Sequence, residues 1–167
     1  MARGSSSACR FRALDAGDTS LLTNYSDMAA PDGRVFCRGS AVCLAGQGVL
    51  VLGPSGSGKS RLALELMALG AALVADDGIW LTGDNVLQRP QGAPGLIEAR
   101  GVGLLKARPL DTAPLTLIVD LSRTEPDRLP PRREAAAPGG PVPLILGKDH
   151  PFLAAAISHY LTHGRGE

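Results

Sequence analysis

The sequence predicts an α/β fold, a single domain organised around a phosphate-binding loop, and three observations carry that expectation. Gly53-Pro54-Ser55-Gly56-Ser57-Gly58-Lys59-Ser60 fits the pattern G-x-x-x-x-G-K-[ST] without a mismatch. A short apolar run, Gly48 to Leu52, precedes it and a stretch with helical spacing, Arg61 to Leu69, follows, so the context is strand, loop, helix. Further apolar runs at Ala71–Ala75, Ile79–Leu81 and Leu115–Leu121 supply the other strands of a sheet. The 167 residues are enough to bury a core around that sheet but leave no room for a second folded domain.

Taken in order, residues 1 to about 30 carry scattered Arg, Ser, Gly and Asp with no sustained apolar period, which predicts a flexible arm ahead of a domain spanning 31–167. Met28, followed by Ala-Ala-Pro-Asp, offers an alternative start. From Val35 to Leu44 the apolar residues read as one or two strands, and Ala45-Gly46-Gln47-Gly48 as the turn into the strand before the loop. In the loop, glycines let the backbone form a concave nest whose N–H groups point at phosphate oxygens, and the helix N-terminus adds partial positive charge. Lys59 would reach the β- and γ-phosphates and the Ser60 hydroxyl would ligate Mg²⁺. Within the helix Leu62, Leu66 and Leu69 form one stripe, read as core, and Gly70 is the stop.

The run Ala71–Ala75 delivers Asp76 and Asp77 at its end, where a carboxylate can ligate Mg²⁺ or accept a hydroxyl proton; an Asp-Asp-Gly turn is the competing reading. Gly83-Asp84-Asn85 predicts a hairpin turn and Pro90 to Gly95 a loop. In Leu96 to Leu105 an acid, Glu98, and a base, Arg100, sit in an apolar stretch and call for partners or a metal. The β-branched run Leu115–Leu121 predicts a central strand, and Asp120 near its end rivals Asp77. Arg123 to Pro143, rich in Pro and Arg, reads as an exposed, partly flexible segment, Pro143 to Leu146 as a last edge strand, and Phe152 to Tyr160 as a helix with a frayed end. His150, His159 and His163 lack metal-ligand spacing and read as solvated surface.

Composition narrows the function classes. Seventeen Lys and Arg nearly balance sixteen Asp and Glu, and aromatics are only 4%, so neither a nucleic-acid nor a membrane-surface partner is expected. Three cysteines, Cys9, Cys37 and Cys43, without C-x-x-C spacing argue for inert thiols in a reducing cytoplasm. No run of eighteen apolar residues predicts a membrane span.

The loop, its helix, the Leu73-Val74-Ala75-Asp76-Asp77 strand end and Ile97-Glu98-Ala99-Arg100-Gly101-Val102-Gly103, in that order and spacing, resemble the catalytic domain of HPr kinase/phosphorylase over about residues 35 to 130. The resemblance implies an α/β domain similar to the nucleotide-binding part of phosphoenolpyruvate carboxykinase, and an ATP- and Mg²⁺-dependent kinase acting on a serine of the phosphocarrier protein HPr in phosphotransferase-system regulation. It implies that Lys59 contacts phosphates, that Ser60 and Glu98 hold Mg²⁺, and that Asp77, with Asp76 beside it, is the base, which picks Asp77 over Asp120. Arg128 looks like the family's active-site arginine. Family members form hexamers.

Where the family has a histidine fifteen residues before the first loop glycine, this chain has Arg38, and a guanidinium cannot exchange a proton near neutral pH. Set against the longer members of the family, the chain is expected to be a short form without their separate N-terminal domain, and it departs at Pro143 to Lys148 from the C-terminal segment linked to dephosphorylation. Kinase activity is therefore expected ahead of phosphorolysis. Two alternatives stand beside it: a catalytically weak nucleotide-binding sensor and a small-molecule P-loop kinase.

Overall fold

The computed structural model describes residues 21–166. In chain order the elements are α1 (Leu21–Asn24), β1 (Ser26–Ala29), β2 (Val35–Cys37), β3 (Gly39–Leu44), β4 (Gln47–Leu52), α2 (Lys59–Ala68), β5 (Ala72–Ala75), β6 (Ile79–Leu81) and β7 (Val86–Gln88). They continue with β8 (Leu96–Ala99), β9 (Gly103–Lys106), β10 (Thr112–Asp120), β11 (Arg133–Ala135), β12 (Val142–Leu146) and α3 (Leu153–His163).

The longest strand, β10, ties the molecule together. Its second half lies parallel to β4, with Ile118 opposite Leu50 and Asp120 opposite Leu52, and parallel to β12, with Ile118 opposite Leu144. Its first half pairs antiparallel with β7, Ala113 opposite Leu87. A register shift between Leu115 and Leu117 separates the two halves, the local bend that an irregular ladder produces. The strand order is β1-β2-β6-β7-β10-β4-β3-β5, with β12 also on β10 and β11 on β12.

Period-two alternation then feeds two cores. Leu50, Leu52 and Ile118 face a cluster completed by Val35, Ile79, Leu81 and Leu87 from the β2-β6-β7 side. Val49, Val51, Leu117 and Val119 face the opposite side, where Leu62, Ala63 and Leu66 of α2 and Leu153, Ile157 and Leu161 of α3 cover them. Buried on both faces, Val49–Leu52 of β4 and Leu117–Val119 of β10 are apolar without a break, which is why these runs stand out in the sequence.

Several boundaries differ from the sequence reading. The turn into β4 is only Ala45-Gly46, both at positive φ (52° and 75°), and Gln47 and Gly48 already belong to the strand; two positive φ values are what a tight two-residue hairpin requires. Helix α2 begins at Lys59, and α3 continues to His163 rather than fraying after Tyr160. Residues 21–29, expected in the flexible arm, form α1 and β1; Leu21 and Leu22 are buried in the first core and β1 pairs with β2. The rest of that arm, with Cys9, lies outside the described residues.

β12 is not an edge strand, since it lies between β10 and β11. The segment expected to be flexible and solvated is instead anchored: Arg133 grips Glu125 with Nε and Nη2 at 2.8 and 2.9 Å, and Ala135, Ala136 and Ala137 are buried. A two-pronged guanidinium–carboxylate pair fixes direction as well as distance. Among the described residues no helix is long and apolar enough to cross a membrane.

Candidate functional site

The site forms where β4 ends and α2 begins, at the edge of the sheet that also receives the ends of β5 and β10. Between strand and helix the chain turns on Gly56 and Gly58, at φ 80° and 97°, a region L side chains avoid. A Cβ on Gly53 would lie 2.5 Å from Ser57 Oγ, so the loop closes on itself only with glycine there. Gly58 is the N-cap of α2 and no side chain caps the first turn, which leaves backbone N–H groups as donors at the positive end of the helix. Pro54, Ser55 and Gly56 are exposed at the crest, and Ser57 N donates to Pro54 O at 3.1 Å.

Lys59 curls back across the loop, its Nζ donating to the carbonyls of Gly53 (2.9 Å) and Pro54 (3.1 Å). Burial pushes its pKa below the ordinary lysine value, opposed by the negative charges of Asp77 and Asp76, while Arg38 adds to the depression.

At the second residue of the helix, Ser60 Oγ donates to Asp76 Oδ1 at 2.8 Å, and Ser40 Oγ donates to the same oxygen at 2.6 Å. The antiparallel β3–β5 ladder brings Ala41 opposite Ala75, and one step further along it Ser40 meets Asp76. Ser40 is fully buried, unlike the half-buried Asp76. Sequence reading missed Ser40; the available signal was a lone hydroxyl inside an apolar strand, which needs a partner once buried. Asp77 follows, exposed and held at φ 64°. The Asp-Asp-Gly turn and the carboxylate site are thus the same structure.

Asp120 is fully buried and its carboxylate is engaged: Oδ1 accepts from Ser122 N (2.8 Å) and Ser122 Oγ (2.6 Å), and Oδ2 from Arg123 Nε (2.6 Å). It anchors the turn after β10. Glu98 lies exposed on β8, opposite Leu104 in the β8–β9 hairpin, while its neighbour Ile97 packs with Leu62 and Leu66 of α2. Arg100 is exposed at the hairpin tip, so both charges are solvated and need no buried partner. Among the described residues no hydrogen bond joins Glu98 to Ser60 or Asp76.

Arg128 is also exposed, and it lines a cavity of about 510 Å³ with Arg133, Tyr160 and Arg165. A second cavity of about 340 Å³ lies against Ser57, Gly58, Arg61 and Leu62 of the loop and α2. His150 and Leu153 line both and form the wall between them. The structure therefore gathers Lys59, Ser60, Asp76 and Asp77 at the loop and leaves Glu98 and Arg128 at its periphery. Arg38 is ion-paired with Asp27 at 2.8 Å and donates to Asn24 O at 3.2 Å. Among the described residues no group of three or more His, Cys, Asp or Glu side chains is placed to hold a metal, and Cys37 and Cys43 are in no disulfide. His159 and His163 are exposed on α3 with ring centroids 4.4 Å apart.

These features define a mixed α/β domain whose polar site lies at a strand–glycine loop–helix junction. Residues 32–128 match the HPr Serine kinase C-terminal domain, and the chain belongs to that family. It is 41% identical over 96 residues to the HPr kinase/phosphorylase of Caldicellulosiruptor bescii, covering 55% of this chain and 30% of that protein. With the HPr kinase/phosphorylase of Caldanaerobacter subterraneus subsp. tengcongensis it shares 36% identity over 119 residues, 64% of this chain and 38% of that one. The chain thus spans about a third of the length of the curated relatives it matches. Among solved structures, the HPr(Ser) kinase/phosphatase from Coxiella burnetii superimposes with a TM-score of 0.64 at 26% identity, covering 76% of this chain and 88% of that one.

Proposed function

We propose that this chain is a protein serine kinase domain that transfers the γ-phosphoryl group of ATP to a serine of HPr with Mg²⁺ as cofactor. The observation that carries the reading is the junction of Ser60, Asp76 and Ser40 beside the glycine loop, with the exposed carboxylate of Asp77 next in the chain. In this reading residues 53–60 cradle the phosphates and the domain shares its nucleotide-binding plan with phosphoenolpyruvate carboxykinase.

The donor set suits a hard cation, being made of hydroxyl and carboxylate oxygens. Ser60, with Asp76 behind it and Glu98 from the strand packed on α2, would hold Mg²⁺, which supplies neutralisation of phosphate charge when bound. Lys59 contributes a positive charge to the β- and γ-phosphates. Asp77 takes the proton of the attacking serine hydroxyl as its oxygen bonds to the γ-phosphorus; the bond from phosphorus to the bridging oxygen breaks, and ADP leaves with that electron pair. Arg128 compensates charge on the transferring group, which requires its segment to move toward the loop from the neighbouring cavity. Arg38, tied to Asp27, offers no exchangeable proton near neutral pH, so the forward reaction exceeds phosphorolysis.

Transfer of radiolabelled γ-phosphate from ATP·Mg²⁺ to HPr of the same organism tests this, with Lys59→Ala and Asp77→Asn as controls. Label on a serine of HPr, lost in both variants, is the expected result. Nucleotide binding without transfer would replace the kinase reading with a nucleotide sensor, and label on a small acceptor would replace it with a small-molecule kinase.

A further inference from the structure

Ser40 is a residue that the fold alone does not call for. It lies on β3 between Gly39 and Ala41, fully buried, in a strand whose other members are apolar or glycine. Alternation places Ser40 on the same side as Val42, which packs in the core under α2, while Ala41 faces the opposite core. A buried hydroxyl at such a position carries a desolvation cost that an alanine would avoid. Its compensation is a single short bond, 2.6 Å, to Asp76 Oδ1.

That oxygen also accepts the hydroxyl of Ser60 at 2.8 Å. A hydroxyl has one proton and two lone pairs. With its proton committed to Asp76, Ser60 Oγ keeps its lone pairs directed away from the carboxylate, and a lone pair is what a cation binds. The direction of Ser60 therefore depends on where Asp76 Oδ1 is held. Asp76 belongs to the turn after β5, where Asp77 departs at φ 64°, so the strand end alone does not fix the carboxylate rotamer. Ser40, locked in the β3 ladder between β4 and β5, is the rigid point to which it is tied.

We infer that Ser40 is a positioning residue: its buried hydroxyl fixes Asp76 Oδ1, which in turn orients the Ser60 hydroxyl for the Mg²⁺ that accompanies the nucleotide. The inference deepens the kinase reading and rests on it, since without a cation at Ser60 the chain Ser40–Asp76–Ser60 has nothing to orient. It concerns binding, and it can be read without phosphoryl transfer. Groups that orient metal ligands from behind commonly change metal affinity ten- to a hundredfold when removed.

The experiment is titration of the full chain with a fluorescent ATP analogue at a series of Mg²⁺ concentrations, for wild type, Ser40→Ala, Asp76→Asn and the double variant, with thermal unfolding of each without ligand. Ser40→Ala should raise the Mg²⁺ concentration for half-maximal binding about tenfold or more while leaving binding in excess chelator unchanged. In the Asp76→Asn background the same substitution should have no further effect, because its route runs through Asp76. An unmoved magnesium requirement in folded Ser40→Ala would overturn the inference. Equal losses with and without magnesium would overturn it too, as would a full additional effect in the Asp76→Asn background. Wild-type protein that binds the analogue with no magnesium dependence is a different result: it overturns the ATP·Mg²⁺ reading itself.

Discussion

Asp77 and Asp120 are both aspartates near strand ends, yet their surroundings are opposite. Asp77 is exposed in the left-handed region, which Asp and Asn tolerate better than other side chains with a Cβ. If Asp77 is the base of the proposed kinase, Asp77→Asn should keep the turn and the nucleotide affinity while transfer slows by about 10²- to 10⁴-fold, the usual worth of a general base; steady-state kinetics beside a nucleotide titration checks it. Asp120 is buried with three donors on its carboxylate. Asp120→Ala should instead lower stability by about 1–3 kcal/mol, the worth of the hydrogen bonds to a charged carboxylate that fix the turn after β10, read as a fall in the urea midpoint. On the proposed kinase reading, Lys59→Ala removes a charged phosphate contact and should weaken nucleotide binding roughly tenfold or more, measured by the same titration. At this scale the sequence made the loop, Asp76 and Asp77 legible because their spacing along the chain is the signal. Ser40 escaped because its meaning lies across a ladder, thirty-six residues from Asp76.

At the scale of elements, strands buried on both faces were legible as apolar runs and β12 was legible as a strand, whereas β11, α1 and the interior place of β12 depended on contacts that composition hides. The segment after β10 shows why. Its arginines and prolines resemble a solvated linker, but Arg133 spends its charge on Glu125, and the guanidinium's hydrogen bond holds the Glu125 carboxyl below the ordinary glutamate range. Because the folded value is the lower one, the contribution to stability is present above the unfolded pKa, about 4.3, and is lost as pH falls through the folded value. Thermal unfolding of wild type and Glu125→Gln should accordingly differ at pH 6 and converge below pH 4. A constant gap down to the lowest pH at which the protein folds would mean that the pair does not pin this segment. The stripe Leu62, Leu66 and Leu69 was legible by contrast in its first two members, because its period is local. Leu69, the C-cap just past the end of α2, is 48% exposed and lies outside the core.

For the whole molecule, the question is whether the β1-β2-β6-β7 portion and the helix-covered portion unfold as one body. β10 runs through both, with Ala113 and Leu115 in the first core and Leu117 and Val119 in the second. Leu22 of α1, 1% exposed, packs in the first core, which contains Leu50 and Leu52 from the strand feeding the glycine loop. Trp80, the one tryptophan in the sequence, lies on β6 against Phe36, with ring centroids 5.1 Å apart, and reports on the first portion. Leu22→Ala should cost about 2–5 kcal/mol, the transfer and cavity terms of a buried leucine. If β10 makes the two portions one cooperative unit, Trp80 fluorescence and far-ultraviolet circular dichroism will show coincident urea transitions in wild type and in Leu22→Ala, both moved to lower urea in the variant. If fluorescence is lost first in the variant while helical signal and nucleotide binding persist, the sheet portion is a separable layer. The nucleotide site would then stand without the core that α1 completes.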